Sequence, residues 1–432
     1  MTSIIIAGAG VGGLYLAWIL ERKGYDVTVI EKNSRDQISY DWHDDVERNT
    51  FVEADIPIDN LDYHLKQDWS FLMFGSKNVT RISIPDDLKD LSIHRRSLAK
   101  ILLSQCLNTK FLFSHLIQKP IIKDSCVIGV TTNNGNFFAD LVIDNCGYNS
   151  PLRSQLPDEA LIKQDYSEED VFYVYRAFWE RKNDLERAFH TNKAYLRHMG
   201  RKGISWAIDK NSEVDILIGS IEGISDKEID EALIDLKNDN PIIGEKTISE
   251  GKYVIPVSSP IRKMIWNGYV LLGDSAFMTI PMLGSGIHSS LRCGKILSET
   301  IVKCECNFQQ ENLWDYQVRC YKDFLYQHFA VDIMKRWLLK AKLTDISFIS
   351  DKGLVNAEEM ALVASGKPFE LSFCSMIKKA RQGFSNPGLL ISLLNTLNNG
   401  KRAMKIANRI PSVYSEKDFL KWENKLNTIF MN

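Results

Sequence analysis

Four residues near the start of the chain have the spacing of a phosphate cradle. Gly8, Gly10 and Gly13 form a G-x-G-x-x-G run with Val11 and Gly12 inside it, and Glu31 follows with Lys32 beside it. In such a run the first glycine allows a tight turn, the second lets backbone approach a pyrophosphate, and the third lets a helix pack closely on a sheet. The unpaired N–H groups of that helix start then face the phosphates with the positive end of the helix dipole behind them. Glu31 is placed to accept hydrogen bonds from a ribose. Together these residues predict a bound adenine dinucleotide.

The flanking segments have to position that turn. Ser3 to Ala7 is a short apolar run, Leu14 to Arg22 reads as a helix, and Val27 to Ile30 reads as a second strand ending on the acid. A spanning segment is the competing reading, since Thr2 to Leu20 carries no charge. The glycine cluster, the lack of a preceding lysine or arginine and the second strand argue against it.

Further along, Arg95 and Arg96 open a stretch with helical apolar spacing at Leu98, Ile101 and Leu102. Cations are disfavoured at a helix start, and an external phosphate would relieve them. Gly268 to Leu272 reads as a buried strand that runs into Gly273-Asp274, and a helix is expected from about His288 to Lys303. An acid at the carboxyl end of a strand, followed by a glycine-rich helix start, suits a polyol and an anionic ring edge. A stretch rich in aromatic and acidic residues, Tyr40 to Val46, reads as a loop beside this site.

Composition bounds the rest. The 432 residues carry 53 basic and 55 acidic side chains, so no global field favours nucleic acid, and none is expected as a partner. The cysteines are scattered, with no zinc or redox spacing, so no metal site is read and a reducing, cytoplasmic setting is expected. The chain divides into residues 1–164, a dinucleotide-binding domain with an inserted substrate-side segment near 60–90; 165–261, an antiparallel sheet facing the substrate; 262–306, the return of the first domain; and 307–432, helical. Candidate strands at Val171 to Phe178, Ile204 to Ile208 and Val214 to Ile218 and a helix from Asp226 to Lys237 support the second unit. Basic residues at Lys378, Lys379, Arg381, Lys401, Arg402, Lys405 and Arg409 on amphipathic stretches suit peripheral membrane contact through the C-terminal helices, with a solvated helix face as the ordinary alternative. The sequence leaves the oligomeric state open.

With these residues in place, the chain resembles the flavoprotein monooxygenase superfamily and, within it, the geranylgeranyl reductase family. The resemblance covers about residues 3 to 305. It implies an α/β fold: a Rossmann-type FAD-binding domain, an antiparallel-sheet substrate domain and a helical C-terminal region. It implies FAD held by Gly8, Gly10, Gly13 and Glu31, by Arg95 near the phosphates, and by Gly273 and Asp274 at the ribityl chain. Pro281, Gly284, Ser285, Gly286 and Ile287 would bring backbone N–H groups to the flavin ring. The middle motif departs from the hydroxylases, with Cys146 where they carry Asp, and Phe277 stands where they tend to show His. The reductases' aromatic strand is matched only in part, by Trp206 and Gly219. Of their Cys-Gly-Asp triplet only Asp44 is present.

The resemblance therefore implies an FAD-dependent oxidoreductase that reduces a C=C bond of a hydrophobic, isoprenoid-type substrate, with NAD(P)H or another reductant as electron donor. The alternative is an NAD(P)H-using monooxygenase acting on an aromatic or other hydrophobic small molecule. A third reading is a flavin-binding protein recruited to a membrane or partner by its helical tail. His43, Asp44 and His288 are the candidate catalytic residues, the histidines because they titrate near working pH; Trp206 is the candidate substrate-pocket residue.

Overall fold

The computed structural model describes residues 2–83, 87, 89–163, 166–182, 192–210, 212–354 and 385–431. Strand Ser3–Ala7 is apolar on both faces, and such a strand belongs in the middle of a parallel sheet covered on both sides. It pairs in parallel with Asp26–Ile30 on one side and Leu141–Asp144 on the other. The six-stranded sheet runs Ile265–Trp266, Tyr269–Leu271, Leu141–Asp144, Ser3–Ala7, Asp26–Ile30, Lys110–Leu112. All its pairings are parallel except the short hairpin at the Ile265 edge.

The helices in chain order are α1 (Val11–Arg22), α2 (Arg48–Glu53), α3 (Arg95–Gln105), α4 (Asp226–Asp239), α5 (Ile287–Lys303), α6 (Gln310–Cys320), α7 (Tyr326–Lys340), α8 (Leu343–Asp351), α9 (Pro387–Ala407) and α10 (Glu416–Met431). Helix α1 begins at Val11 rather than at Leu14, because Gly10 keeps an extended backbone and so becomes the residue before the first turn. The stretch read as a loop at Tyr40 to Val46 ends in a strand, His43–Val46, paired antiparallel to Leu91–His94. Pairing hides its backbone while its side chains reach the site.

The second sheet has seven strands in the order Ile243–Pro256, Val171–Arg181, Glu213–Ser220, Ile204–Asp209, Lys193–Leu196, Trp69–Met73, Val79–Ile82. Residues 69–82 thus leave the first part of the chain to complete a sheet whose other strands come much later. One face carries Tyr175, Ala177, Ile216 and Ile218 against Ile229, Ala232 and Leu236 of α4. A capping box, Ser225 with Glu228, starts that helix. The opposite face is the floor of a cavity.

Helices α6 and α10 dock on the main core through Trp314, Tyr316, Phe419 and Trp422. Lys401, Arg402, Lys405 and Arg409 are exposed on α9 and just beyond it, whereas Lys378, Lys379 and Arg381 lie outside the described residues. Among the described residues no helix is long and apolar enough to cross a membrane.

Candidate functional site

The glycine turn is built by close packing. Gly8 has φ +103°, and a Cβ there would come within 2.5 Å of the Asn145 carbonyl oxygen. A Cβ on Gly10 would lie 2.7 Å from Asn145 Nδ2, and one on Gly13 2.6 Å from the Gly8 carbonyl oxygen. Gly12 is closed off by Ser290 of α5, and Val11 is buried at the first turn of α1. No side chain caps α1, so its leading N–H groups are left for an anion. Glu31 is 9 % exposed and accepts hydrogen bonds from the N–H groups of Ala9 and Asn33, both at 2.8 Å. It ties the turn to the second strand while Lys32 faces solvent.

A second group of residues converges from other parts of the chain. Arg95 opens α3, its guanidinium lies 4.9 Å from the centre of the Tyr40 ring, and its Nη1 is 3.5 Å from Asp44 Oδ2. Asp44 also accepts from Trp42 Nε1 at 3.1 Å. The Nε of Arg95 is buried without an acceptor among the described residues. Asp274 follows Gly273, which has φ +71°. No hydrogen bond to a described residue holds its carboxylate. Burial raises its pKa, and the Arg95 charge opposes that rise.

Gly284 has φ +69° against Ile255, and a Cβ on Gly286 would meet Thr279 and Asp274. Helix α5 starts after Gly286 without a side-chain cap, at the buried Ile287. Pro281, Gly284, Ser285 and Gly286 line the cavity with Asp274 and Arg95. An unpartnered carboxylate, an orphaned arginine nitrogen and two uncapped helix starts beside glycines that exclude side chains fit the polyol, phosphates and ring of FAD.

The cavity has a volume of about 1000 Å³. Its floor is rows of side chains across the seven-stranded sheet: Arg176, Leu217 and Trp206 in one row, and Val174, Ile204, Leu196 and Met73 two residues further along. Arg176 and Asp215 form a buried ion pair, with Nε to Oδ1 at 3.0 Å and Nη2 to Oδ2 at 2.7 Å. Burial pushes the Asp215 carboxyl up, but the guanidinium outweighs it and holds it below its ordinary value. The Arg176 plane also packs on Trp42 and Trp206 and donates to the His43 carbonyl, so it joins the sheet to the FAD-side strand. Trp206 stands on the cavity floor. Leu338, Ile349, Leu393 and Leu397 of α7, α8 and α9 supply the apolar roof.

His43 and His288 both line the cavity. The His43 ring packs near those of His64 and His94, at 4.9 and 5.2 Å between centres. Burial and the charge of Lys210 lower its pKa to about 4, so it is neutral at pH 7. His288 sits in the first turn of α5 with Nδ1 2.8 Å from Thr50 Oγ1, and burial lowers its pKa too. Asp44, paired with Arg95 and Trp42, is positioned to orient Arg95. Asn145, the Arg176–Asp215 pair and the roof helices were not singled out in the sequence. Asn145 follows the strand Leu141–Asp144 and could have been noticed there, whereas the roof depends on how distant helices dock.

The first stretch, residues 6–60, matches the model of an NAD(P)-binding Rossmann-like domain. The chain is 23 % identical over 323 residues to a digeranylgeranylglycerophospholipid reductase of Sulfolobus acidocaldarius, a match covering 72 % of this chain and 71 % of that one. The chain is thus similar in sequence to geranylgeranyl-type reductases, which share a superfamily with flavoprotein monooxygenases. The reductase of the same name from Haloferax volcanii is 22 % identical over 338 residues, 71 % of this chain and 77 % of the relative. Among solved structures, a geranylgeranyl bacteriochlorophyll reductase-like protein from Thermoplasma acidophilum superposes with a TM-score of 0.72 at 16 % identity, over 92 % of this chain and all of that one. A probable FAD-dependent monooxygenase from Pseudomonas aeruginosa gives 0.57 at 14 % identity, over 84 % of this chain and 99 % of that one. These likenesses in fold agree with the layout of this superfamily, an FAD-binding domain beside a sheet-floored pocket. The sequence relatives are named as reductases, and a structural neighbour is named as an FAD-dependent enzyme.

Proposed function

We propose that the protein reduces a carbon–carbon double bond of a long, isoprenoid-type substrate. The observation that carries this reading is the volume and apolar lining of the cavity. It begins at Asp274 and Gly286, passes over Trp206 and Leu217, and continues between apolar side chains of the sheet and of α7, α8 and α9. A compact aromatic ring needs no apolar cavity of about 1000 Å³, whereas a chain of repeated apolar units fills one. The reductase names of the relatives point the same way.

Bound FAD would supply the hydride, and NAD(P)H or another reductant would restore it. The residues that would hold it are Gly8 to Gly13, Glu31, Arg95, Gly273, Asp274 and the backbone from Gly284 to Ile287. The chain's own work is to keep the alkene against that end of the cavity, exclude water and deliver one proton. One alkene carbon takes the hydride and the other takes the proton, so each turnover adds two hydrogens and no oxygen. His43, on the cavity wall, would deliver that proton from its protonated form, which is the minor one at pH 7, with Asp44 orienting Arg95 beside it. Peripheral contact with a membrane, through the exposed basic residues of α9, would let such a substrate enter without crossing water.

The test is anaerobic incubation of FAD-loaded, dithionite-reduced protein with a geranylgeranyl compound, read by mass spectrometry. A product heavier by two hydrogens per double bond supports the proposal. Product formed only with oxygen and NADPH, carrying an added oxygen atom, would replace it with a monooxygenase.

A further inference from the structure

One end of the cavity holds a cation whose Nε and Nη1 find no hydrogen-bond partner among the described residues. Arg197 follows strand Lys193–Leu196 and is 7 % exposed, yet its Nε and Nη1 are buried without a hydrogen-bond partner. It lines the cavity with Lys202, Gly203, Ile204 and Ile221. Other buried arginines are satisfied differently: Arg176 and Arg181 face Asp215 and Asp209, and Arg153 donates to the carbonyls of Ser275 and Tyr148. Two buried guanidinium nitrogens without an acceptor are costly, and their persistence points to an acceptor that arrives from outside.

The backbone supports this. Arg197 has φ +58° and Met199 φ +53°, with Gly200 at +83°. Non-glycine side chains seldom occupy that region, and two so close together mark a turn held by its surroundings. The turn is closed by hydrogen bonds from Arg197 N to the Gly203 carbonyl at 2.8 Å and from Gly200 N to the Arg197 carbonyl at 2.7 Å. Lys202, at the rim, is paired with Glu222 at 2.5 Å. Burial pulls the Arg197 guanidinium below its ordinary value, and Glu222, already engaged by Lys202, offsets this only in part.

The position fits a head-and-tail ligand. Ala194 pairs with Trp206, and Arg197 lies three residues further on, roughly 10 Å along the strand. Between them the floor is apolar, with Leu196, Ile204 and Val174. We propose that Arg197 receives a phosphate-type anionic head of the substrate, assisted by Lys202, while the apolar tail runs back over Ile204 and Leu217 to the Asp274 end. A guanidinium can grip such a head through two parallel N–H bonds. The inference rests on the reading of the cavity as a long-chain substrate site. It also orders the chemistry: the reaction that attaches the anionic head precedes the reduction.

The experiment measures equilibrium binding of geranylgeranyl phosphate, geranylgeraniol and inorganic phosphate to the FAD-loaded protein and to Arg197→Met and Arg197→Lys. The expected result is about tenfold or more preference for the phosphate over the alcohol, lost in Arg197→Met and partly kept in Arg197→Lys, with inorganic phosphate a weak competitor. Equal binding of phosphate and alcohol by the unmodified protein, or an undiminished preference in Arg197→Met, would overturn the head assignment alone. Inorganic phosphate competing as well as the ester would also overturn it and make free phosphate the ligand. Failure of both long-chain compounds to bind would bring down the long-chain reading together with this inference.

Discussion

Asn145 donates from Nδ2 to the carbonyl of Gly8 at 3.1 Å, and its Oδ1 lies where a side chain on Gly273 would have to be. One amide therefore sets the spacing between the two glycine turns, which come from opposite ends of the FAD-binding domain. Replacing Asn145 with Ala removes that strut. Losing one such hydrogen bond is worth about 1 kcal/mol, so FAD should bind roughly fivefold more weakly. Titration of the apoprotein with FAD, followed by flavin fluorescence, measures the change.

Gly10→Val attacks the same strut from the other side. Its Cβ would press within 2.7 Å of Asn145 Nδ2 and fill the approach to the helix start. The purified variant should be colourless, as absorbance near the flavin bands would show. A variant that stays yellow would remove the glycine turn from the FAD site.

Asp274 should show opposite effects in the two states of the protein. Its carboxylate is partly desolvated and has no hydrogen bond to a described residue, so Asp274→Asn should leave the flavin-free protein as stable or slightly more stable. FAD affinity should fall by about 1.5 to 3 kcal/mol, roughly tenfold to a hundredfold or more, the usual loss for a charged hydrogen bond. Thermal melts with and without FAD separate these two effects.

Acid should weaken the fold through the histidines of the site. His43 and His64 both have their pKa values lowered to about 4, first by burial and then by the Lys210 charge. The unfolded chain therefore binds more protons than the folded one below the ordinary histidine value. Stability is full above about pH 6.5 and falls as the pH drops toward about 4. Melting temperature against pH should slope less steeply in His64→Gln. Turnover per folded molecule should rise over the same interval if His43 gives up the proton, and His43→Asn should flatten that rise. A rate that ignores both pH and the substitution removes His43 from the chemistry.

Leu217 stands mid-floor, between Arg176 and Trp206. Leu217→Trp should narrow the passage, raising KM several-fold for a twenty-carbon substrate and much less for a ten-carbon one. Steady-state kinetics with the two chain lengths make the comparison, and an equal change for both would place the tail elsewhere.

What was legible in the sequence was local. The turn at Gly8 to Gly13 declares itself because strand, glycines, helix and Glu31 lie within one short stretch and each type is demanded by sterics or charge. Gly273-Asp274 is legible for the same reason. The place of Trp206 on a strand could be read, but not its partners, because Arg176 and Asp215 come from neighbouring strands whose register is a tertiary property. Tyr40 to Val46 looked like a loop because its acids and aromatics hide a short strand that exists only by pairing with Leu91–His94. Arg197 carries no sequence signal at all. A lone arginine after a strand is ordinary until burial leaves two of its nitrogens without a hydrogen-bond partner among the described residues.

The pairing of Trp69–Met73 with Lys193–Leu196 joins segments made far apart during synthesis, and the roof over their sheet comes from α9, near the end of the chain. The glycine turn could therefore close on a nascent chain well before any shelter for its flavin exists. A protein arrested before residue 387 would carry its cofactor open to water and oxygen. Completion of the C-terminal helices would thus be the event that closes the pocket over the proposed flavin.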